Sequence, residues 1–312
     1  MICKKWLIFI VVIFIPAINY AAQIQVSYQQ GEHVQMIVGE RTKLGYEFNM
    51  DSKQTVTMAT LEWPPYISEK SCHHGWVFQY AVALLVSKGY HVVISFYPWA
   101  RAVKLVESGK IDVLFPDYFI EADTPSDVFI GKKRRDLLAL SGVFSGGEIA
   151  FIKRKGEDDH FDGKLINLKH ELIGVVRGYQ NTPAFDKMMD NHQFNIVEAV
   201  NDLQQVKLLI AKRVNLIIGD PLVIKFSIED SPLTQSVKQR MLASIENVKP
   251  NLQYNYLYFD ISKQRPHWQQ LLTDINYAIT EFSQQGITKQ FINNNFNCIK
   301  AKFNEIGKLH EY

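Results

Sequence analysis

The feature that most constrains this chain is the order of its apolar segments between residues 55 and 115. Residues 55–61 read as a strand that breaks at Trp63-Pro64-Pro65-Tyr66, because proline cannot continue a sheet interior. Residues 75–88 carry a helical apolar pattern through Val77, Tyr80, Ala81, Leu84 and Leu85, stopped by Gly89. A strand over 90–96, a helix over 99–108 ended by Gly109, and a strand over 111–115 follow. Strand, helix, strand, helix, strand is the rhythm of a largely parallel sheet covered by helices, an α/β fold.

The polar stretch 121–135 interrupts that rhythm, and a second unit begins with a strand over 148–153. Residues 173–176 form its next strand, Asn181-Thr182-Pro183 opens a helix with a capping residue and a first-turn proline, and 194–198 is another strand. An amphipathic helix over 201–212 and a returning strand over 214–218 complete it. The segment 104–117 aligns without gaps on 207–220, each a helix end, a turn and a buried strand finishing in aspartate, Asp117 and Asp220. Two lobes on one plan are expected, with each aspartate at the carboxyl end of a parallel strand, where α/β sheets bind ligands. The final third reads as an extended run over 254–261, a long helix over 266–285 and a short helix over 287–294, after a polar lead-in at 23–53.

Residues 1–22 have the form of a secretory signal: Lys4 and Lys5, an apolar stretch from 7 to 15, then Pro16 and small residues. Cleavage would leave a mature chain in the periplasm and lower the formal net charge from +2 to zero, since no other charged residue lies in that segment. A nucleic-acid partner is therefore not expected, and the basic run Lys132-Lys133-Arg134-Arg135 reads as a solvated surface loop. Cys72 and Cys298 remain in the mature chain. An oxidising compartment allows a disulfide between them if the fold brings them together, and two free thiols are the alternative. Cys72-His73-His74 lacks the distant fourth donor a tetrahedral metal site requires, so neither metal nor cofactor is expected.

The ordered motifs Leu61-Glu62-Trp63-Pro64-Pro65-Tyr66, Phe96-Tyr97-Pro98-Trp99-Ala100-Arg101-Ala102, the segment from Gly109 to Asp117-Tyr118, and Gly174-Val175-Val176-Arg177-Gly178-Tyr179 resemble the bacterial extracellular solute-binding proteins of family 3. The resemblance implies a type II periplasmic binding fold of two α/β lobes, each a mostly parallel sheet flanked by helices, joined by two crossover strands. Carried onto this chain, lobe 1 is residues 55–147 plus 256–312 and lobe 2 is 148–255. That division puts Cys72 and Cys298 in one lobe, within reach of each other.

The resemblance also implies a set of ligand-binding residues. Trp63 and Tyr66 match the aromatic first loop, with core packing as the competing role. Asp220 matches the acid that holds a ligand ammonium, with helix capping before Pro221 as the competitor. Tyr179 and Asn181 match the turn lining the second lobe, and Asp117 and Tyr118 end the third motif. The arginine that clamps a ligand carboxylate in the family is absent from residues 118–123, leaving Arg101 and Arg177 as substitutes. The function implied is capture of a small polar ligand, amino-acid-like or amine, by a monomer that delivers it to the membrane permease of an ABC transporter. The alternatives are a ligand-sensing module for a membrane partner, and an enzyme using Glu62 or Asp117 as general acid or base.

Overall fold

The computed structural model describes residues 23–126 and 128–308. The expected signal segment at 1–22 lies outside the described residues. Among them, no helix is long and apolar enough to cross a membrane.

The chain builds β1 (Gln23–Gln30), β2 (His33–Arg41), β3 (Tyr46–Phe48), β4 (Thr55–Thr60), α1 (Trp76–Ser87), β5 (His91–Phe96), α2 (Trp99–Glu107), β6 (Val113–Asp117), α3 (Arg134–Leu137) and β7 (Leu138–Leu140). It leaves this sheet on β8 (Phe144–Arg154). The second set is β9 (Leu172–Val176), α4 (Pro183–Asp190), β10 (Asn195–Ala199), α5 (Asp202–Ile210), β11 (Leu216–Gly219), α6 (Pro221–Glu229), α7 (Gln235–Ala243) and β12 (Ile245–Asn247). The chain returns on β13 (Gln253–Ser262) and closes with α8 (Trp268–Gln284) and α9 (Ile287–Lys308).

The strand order is β1-β2-β3-β5-β4-β6-β13-β8-β11-β9-β10. The fold is therefore two-lobed α/β, and β8 and β13 are the two crossovers, paired antiparallel through Asn255 with Gly147 and Tyr254 with Glu148. Parallel pairing occupies the heart of each lobe, β4 with β5 and β6, and β9 with β10 and β11. The crossovers and the amino-terminal strands add antiparallel pairs around it.

The lead-in is more structured than its polar composition suggests. Ile24, Val26 and Tyr28 alternate with polar residues along β1, so one face meets the core while the other stays wet. Tyr28 packs its ring 5.4 Å from Phe282 on α8 and 5.7 Å from Phe291 on α9. Helix α1 is apolar on every side, which requires burial on every side. It lies among β1, β5, α8 and α9, with every residue from Trp76 to Leu85 buried. A disulfide joins Cys72, just before α1, to Cys298 on α9, their Cα atoms 6.1 Å apart.

The basic run at 132–135 departs from expectation. Arg134 is not solvated: it is buried against two acids, its Nε 3.1 Å from Glu107 Oε1 and its Nη2 3.2 Å from Asp117 Oδ2. The flanking lysines are exposed, so one member of the run is a core residue that local charge density disguises.

Candidate ligand cleft

Between the lobes, the carboxyl end of β4 runs into the turn that carries Trp63 and Tyr66. Backbone bonds between Trp63 and Ile67 close that turn, and Asn295 on α9 donates to the Pro65 carbonyl from below. Gly75 backs it at φ 87°, where a side chain would collide with the Tyr66 carbonyl. The two rings stack with centroids 4.7 Å apart, and Tyr118, from the end of β6, meets Trp63 edge-on at 5.4 Å.

Lobe 2 presents carboxylates to this aromatic wall. Asp220 sits between β11 and α6 and serves two purposes. Its Oδ1 accepts from Leu222 N as the cap of α6, and its Oδ2 accepts from Tyr66 Oη across the cleft at 2.7 Å. Capping and cleft-facing roles are thus both met by one side chain. Asp202, in the first turn of α5, accepts from Tyr179 Oη at 3.0 Å. Trp99 at the start of α2 packs edge-on to Tyr179 and donates its indole N–H to the Gly178 carbonyl at 2.8 Å. Gly147, on crossover β8, lies so close that a Cβ there would overlap Asp220 Oδ2 and the Tyr66 hydroxyl.

Burial dominates the electrostatics. Asp220 and Asp202 are 3% and 2% exposed, and burial pushes their carboxyls up to about 6 and about 7 despite the hydrogen bonds they accept. The hydroxyls of Tyr66, Tyr118 and Tyr179 are pushed well above the phenol range, again mainly by burial, with the neighbouring carboxylates adding to it. The Tyr118 hydroxyl is buried without a hydrogen-bond partner.

Of the remaining sequence candidates, Asp117 lines the inner space between the lobes, whereas Asn181, Arg101 and Arg177 do not. The Asp117 carboxylate turns inward to Arg134 and to its own chain at Tyr118 N, beside fully buried Asp260. Asn181 spends its side chain on Asp186 and its carbonyl on Asn255 Nδ2, while the cap of α4 is Thr182, which accepts from Phe185 N. Arg101 and Arg177 are exposed, Arg101 resting over the Tyr97 ring. Glu62 is exposed at the mouth, its carboxylate engaged by Ser68 Oγ and Glu69 N. Sequence reasoning did not single out Trp99, Asp202 or Gly147 for the site. Trp99 stood inside a quoted motif, but Asp202 looks like any first-turn acid.

The lobes are closed on themselves. The inner space among Trp63, Trp99, Tyr118 and Tyr179 is about 10 Å³, room for no more than one water. Outside it, a groove of about 480 Å³ opens between Glu62, Phe96, Tyr97, Trp99 and Asn201. Among the described residues, no group of His, Cys, Asp and Glu has the arrangement of a metal site.

No protein-family model matches the chain, and no curated protein matches it in sequence. Solved structures do match in fold. An ancestral arginine-binding protein bound to arginine is 20% identical, covers 78% of this chain and 99% of its own, and superposes with a TM-score of 0.60. A histidine kinase sensor domain with similarity to periplasmic binding proteins is 13% identical, over 78% and 96%, at 0.60. An amino acid ABC transporter substrate-binding protein from Streptococcus pneumoniae bound to L-arginine is 14% identical, over 79% and 96%, at 0.59. At these identities the likeness is one of fold, that of the periplasmic binding proteins.

Proposed function

We propose that this chain is an exported solute-binding protein that captures a small polar ligand, amino-acid-like or amine, between its lobes and delivers it to the permease of an ABC transporter. The observation that carries the reading is the pairing of Tyr66 with Asp220 across the cleft, an aromatic loop of one lobe meeting a strand-end carboxylate of the other. Such contacts exist only when the lobes are together, so a ligand that replaces them selects and holds a closed shape that a membrane partner can distinguish. The amino-acid ABC transporter binding protein among the fold neighbours supports the same role.

In this reading residues 1–22 are a signal peptide, the mature protein works as a monomer in the periplasm, and the Cys72–Cys298 bridge suits an oxidising compartment. The first lobe comprises residues 55–147 and 256–312, with the strands of 23–54 added to its sheet, and the second comprises 148–255. Capture rather than catalysis is proposed, because the Asp117 carboxylate is already paired with Arg134 and Glu62 lies exposed at the rim. The sensor-domain neighbour favours one second reading, in which the same closure signals to a membrane kinase.

A thermal-shift screen of amino acids, amines, small acids and oligosaccharides tests the capture step. A ligand at 100 times its dissociation constant adds about 2.7 kcal/mol to the stability of the folded state. Asp220→Ala should weaken that ligand, whereas Arg101→Ala, Arg177→Ala and the surface control Lys133→Ala should not. A panel without any shift, or a ligand indifferent to Asp220→Ala, overturns the proposal.

A further inference from the structure

Every binding site has a charge it is built to receive, and here the protein's own groups define it. The cleft brings together two carboxylates, Asp202 and Asp220, each almost fully buried, Asp220 bonded across the cleft by the Tyr66 hydroxyl and Asp202 bonded within its own lobe by the Tyr179 hydroxyl. Their charges reach one another: each disfavours ionisation of the other or of the tyrosines between them. Buried carboxylates are ordinarily matched by a cation, as Asp117 is by Arg134. Among the described residues, the inner space is lined by Asp117 but by no lysine, arginine or histidine, Lys70 borders the outer groove beside Asp202, and Arg101 and Arg177 stay in solvent.

The positions that could receive an anion are already taken. A helix amino terminus is a natural carboxylate site, since its first N–H groups lack partners. Three helices of lobe 2 begin near the cleft, and each is satisfied internally. Asp220 caps α6, Asn201 caps α5 by accepting from Gln204 N, and Thr182 caps α4 while Asp186 accepts from Asn181 N. Asp202 and Asp220 also set negative charge at two of those ends, which would repel a carboxylate rather than bind it.

A separate observation points to an absent ligand. The Tyr118 hydroxyl is buried within the same group of rings with no partner, and an unmet buried polar group of this kind costs stability unless something fills it. It lies close enough to Asp202, Asp220 and Tyr66 to sense their charges. A donor placed between the two carboxylates therefore has an acceptor waiting at Tyr118.

Resting on the capture function proposed above, we propose that the ligand is a small organic cation without a carboxylate, a primary amine or guanidine whose charged head lies between Asp220 and Asp202 and donates to Tyr118, with its apolar portion against Trp63 and Tyr66. The cation replaces the Tyr66–Asp220 contact as the link between lobes, and the aromatic faces add attraction for it. The filled inner space requires the lobes to part before it enters.

Matched pairs isolate the carboxylate: agmatine with L-arginine, cadaverine with L-lysine, and putrescine with L-ornithine, each titrated calorimetrically into the full chain with its disulfide intact. In at least one pair the amine should bind tenfold or more tighter than the amino acid. Asp220→Asn, which keeps the helix cap, and Tyr118→Phe should each weaken that amine tenfold or more. An amino acid binding tighter than its amine in every pair that binds overturns this inference and leaves the capture function standing. Binding by no member of any pair also overturns it, and the broader ligand panel then decides whether capture fails with it. Equal loss of amine affinity in Lys133→Ala would remove the assignment to this site.

Discussion

Replacing Tyr66 with phenylalanine removes one oxygen and leaves the aromatic stacking in place, so it isolates the bond that spans the cleft. In the closed molecule the hydroxyl donates to Asp220 Oδ2 at 2.7 Å, and both residues are at most 4% exposed. A hydrogen bond to a charged group contributes about 1.5–3 kcal/mol. When the lobes part, water replaces the hydroxyl, so the loss falls on the closed–open equilibrium more than on folding. At about 1.4 kcal/mol per factor of ten, closure of the ligand-free protein should weaken by about 10- to 150-fold. Proton linkage supplies an internal control. Burial raises the Asp220 carboxyl from the ordinary 3.8 to about 6 and Asp202 the same way to about 7, and parting the lobes would return Asp220, whose Tyr66 partner is in the other lobe, toward water. The closed form thus holds the Asp220 proton more tightly, and its advantage is complete below about pH 4 and lost as pH rises through about 6, by on the order of 3 kcal/mol for Asp220. Small-angle X-ray scattering of ligand-free protein should show a larger radius of gyration at pH 8 than at pH 5, and Tyr66→Phe should be more open than the parent at pH 8. A radius unchanged by both the substitution and the pH would refute the reasoning.

Gly147→Ala puts a methyl group where Asp220 Oδ2 and the Tyr66 hydroxyl now sit, so calorimetry should show ligand affinity falling tenfold or more while the unliganded melting temperature moves little. Replacing Cys72 and Cys298 with serine releases α9 from the segment before α1, and denaturant titration should record a loss of about 2–5 kcal/mol. Arg134→Ala leaves Glu107 and Asp117 buried without their cation, and urea unfolding should show destabilisation of about 3–5 kcal/mol.

The parallel heart of each lobe was legible because its signals are local: apolar strands, helical periodicity and glycine stops recur in a fixed order. Strands β1 to β3 were not, since Ile24, Val26 and Tyr28 stand among glutamines and their burial depends on α8 and α9, far along the chain. The aligned aspartates show the same limit within the site. Asp117 and Asp220 end equivalent strands and both border the space between lobes, yet only Asp220 accepts a side-chain bond from the opposite lobe, because Arg134 of lobe 1 engages the Asp117 carboxylate. Arg134 was unreadable as a core residue inside a basic run. Asp202 became visible as a site residue only when the fold set it against Tyr179. The strand-end position of Asp220 was readable from the strand order, whereas Trp63 and Tyr66 were singled out only because their loop resembles that of the solute-binding family.

The structure of a complex is the most direct measurement. Crystals grown with any compound that raises the melting temperature should show it enclosed by both lobes, in contact with Trp63 and Tyr118 on one side and Asp220 on the other, with the Tyr66–Asp220 bond broken or bridged. A bound ligand on an outer surface, with that bond intact and the inner space still filled by protein, would contradict the account.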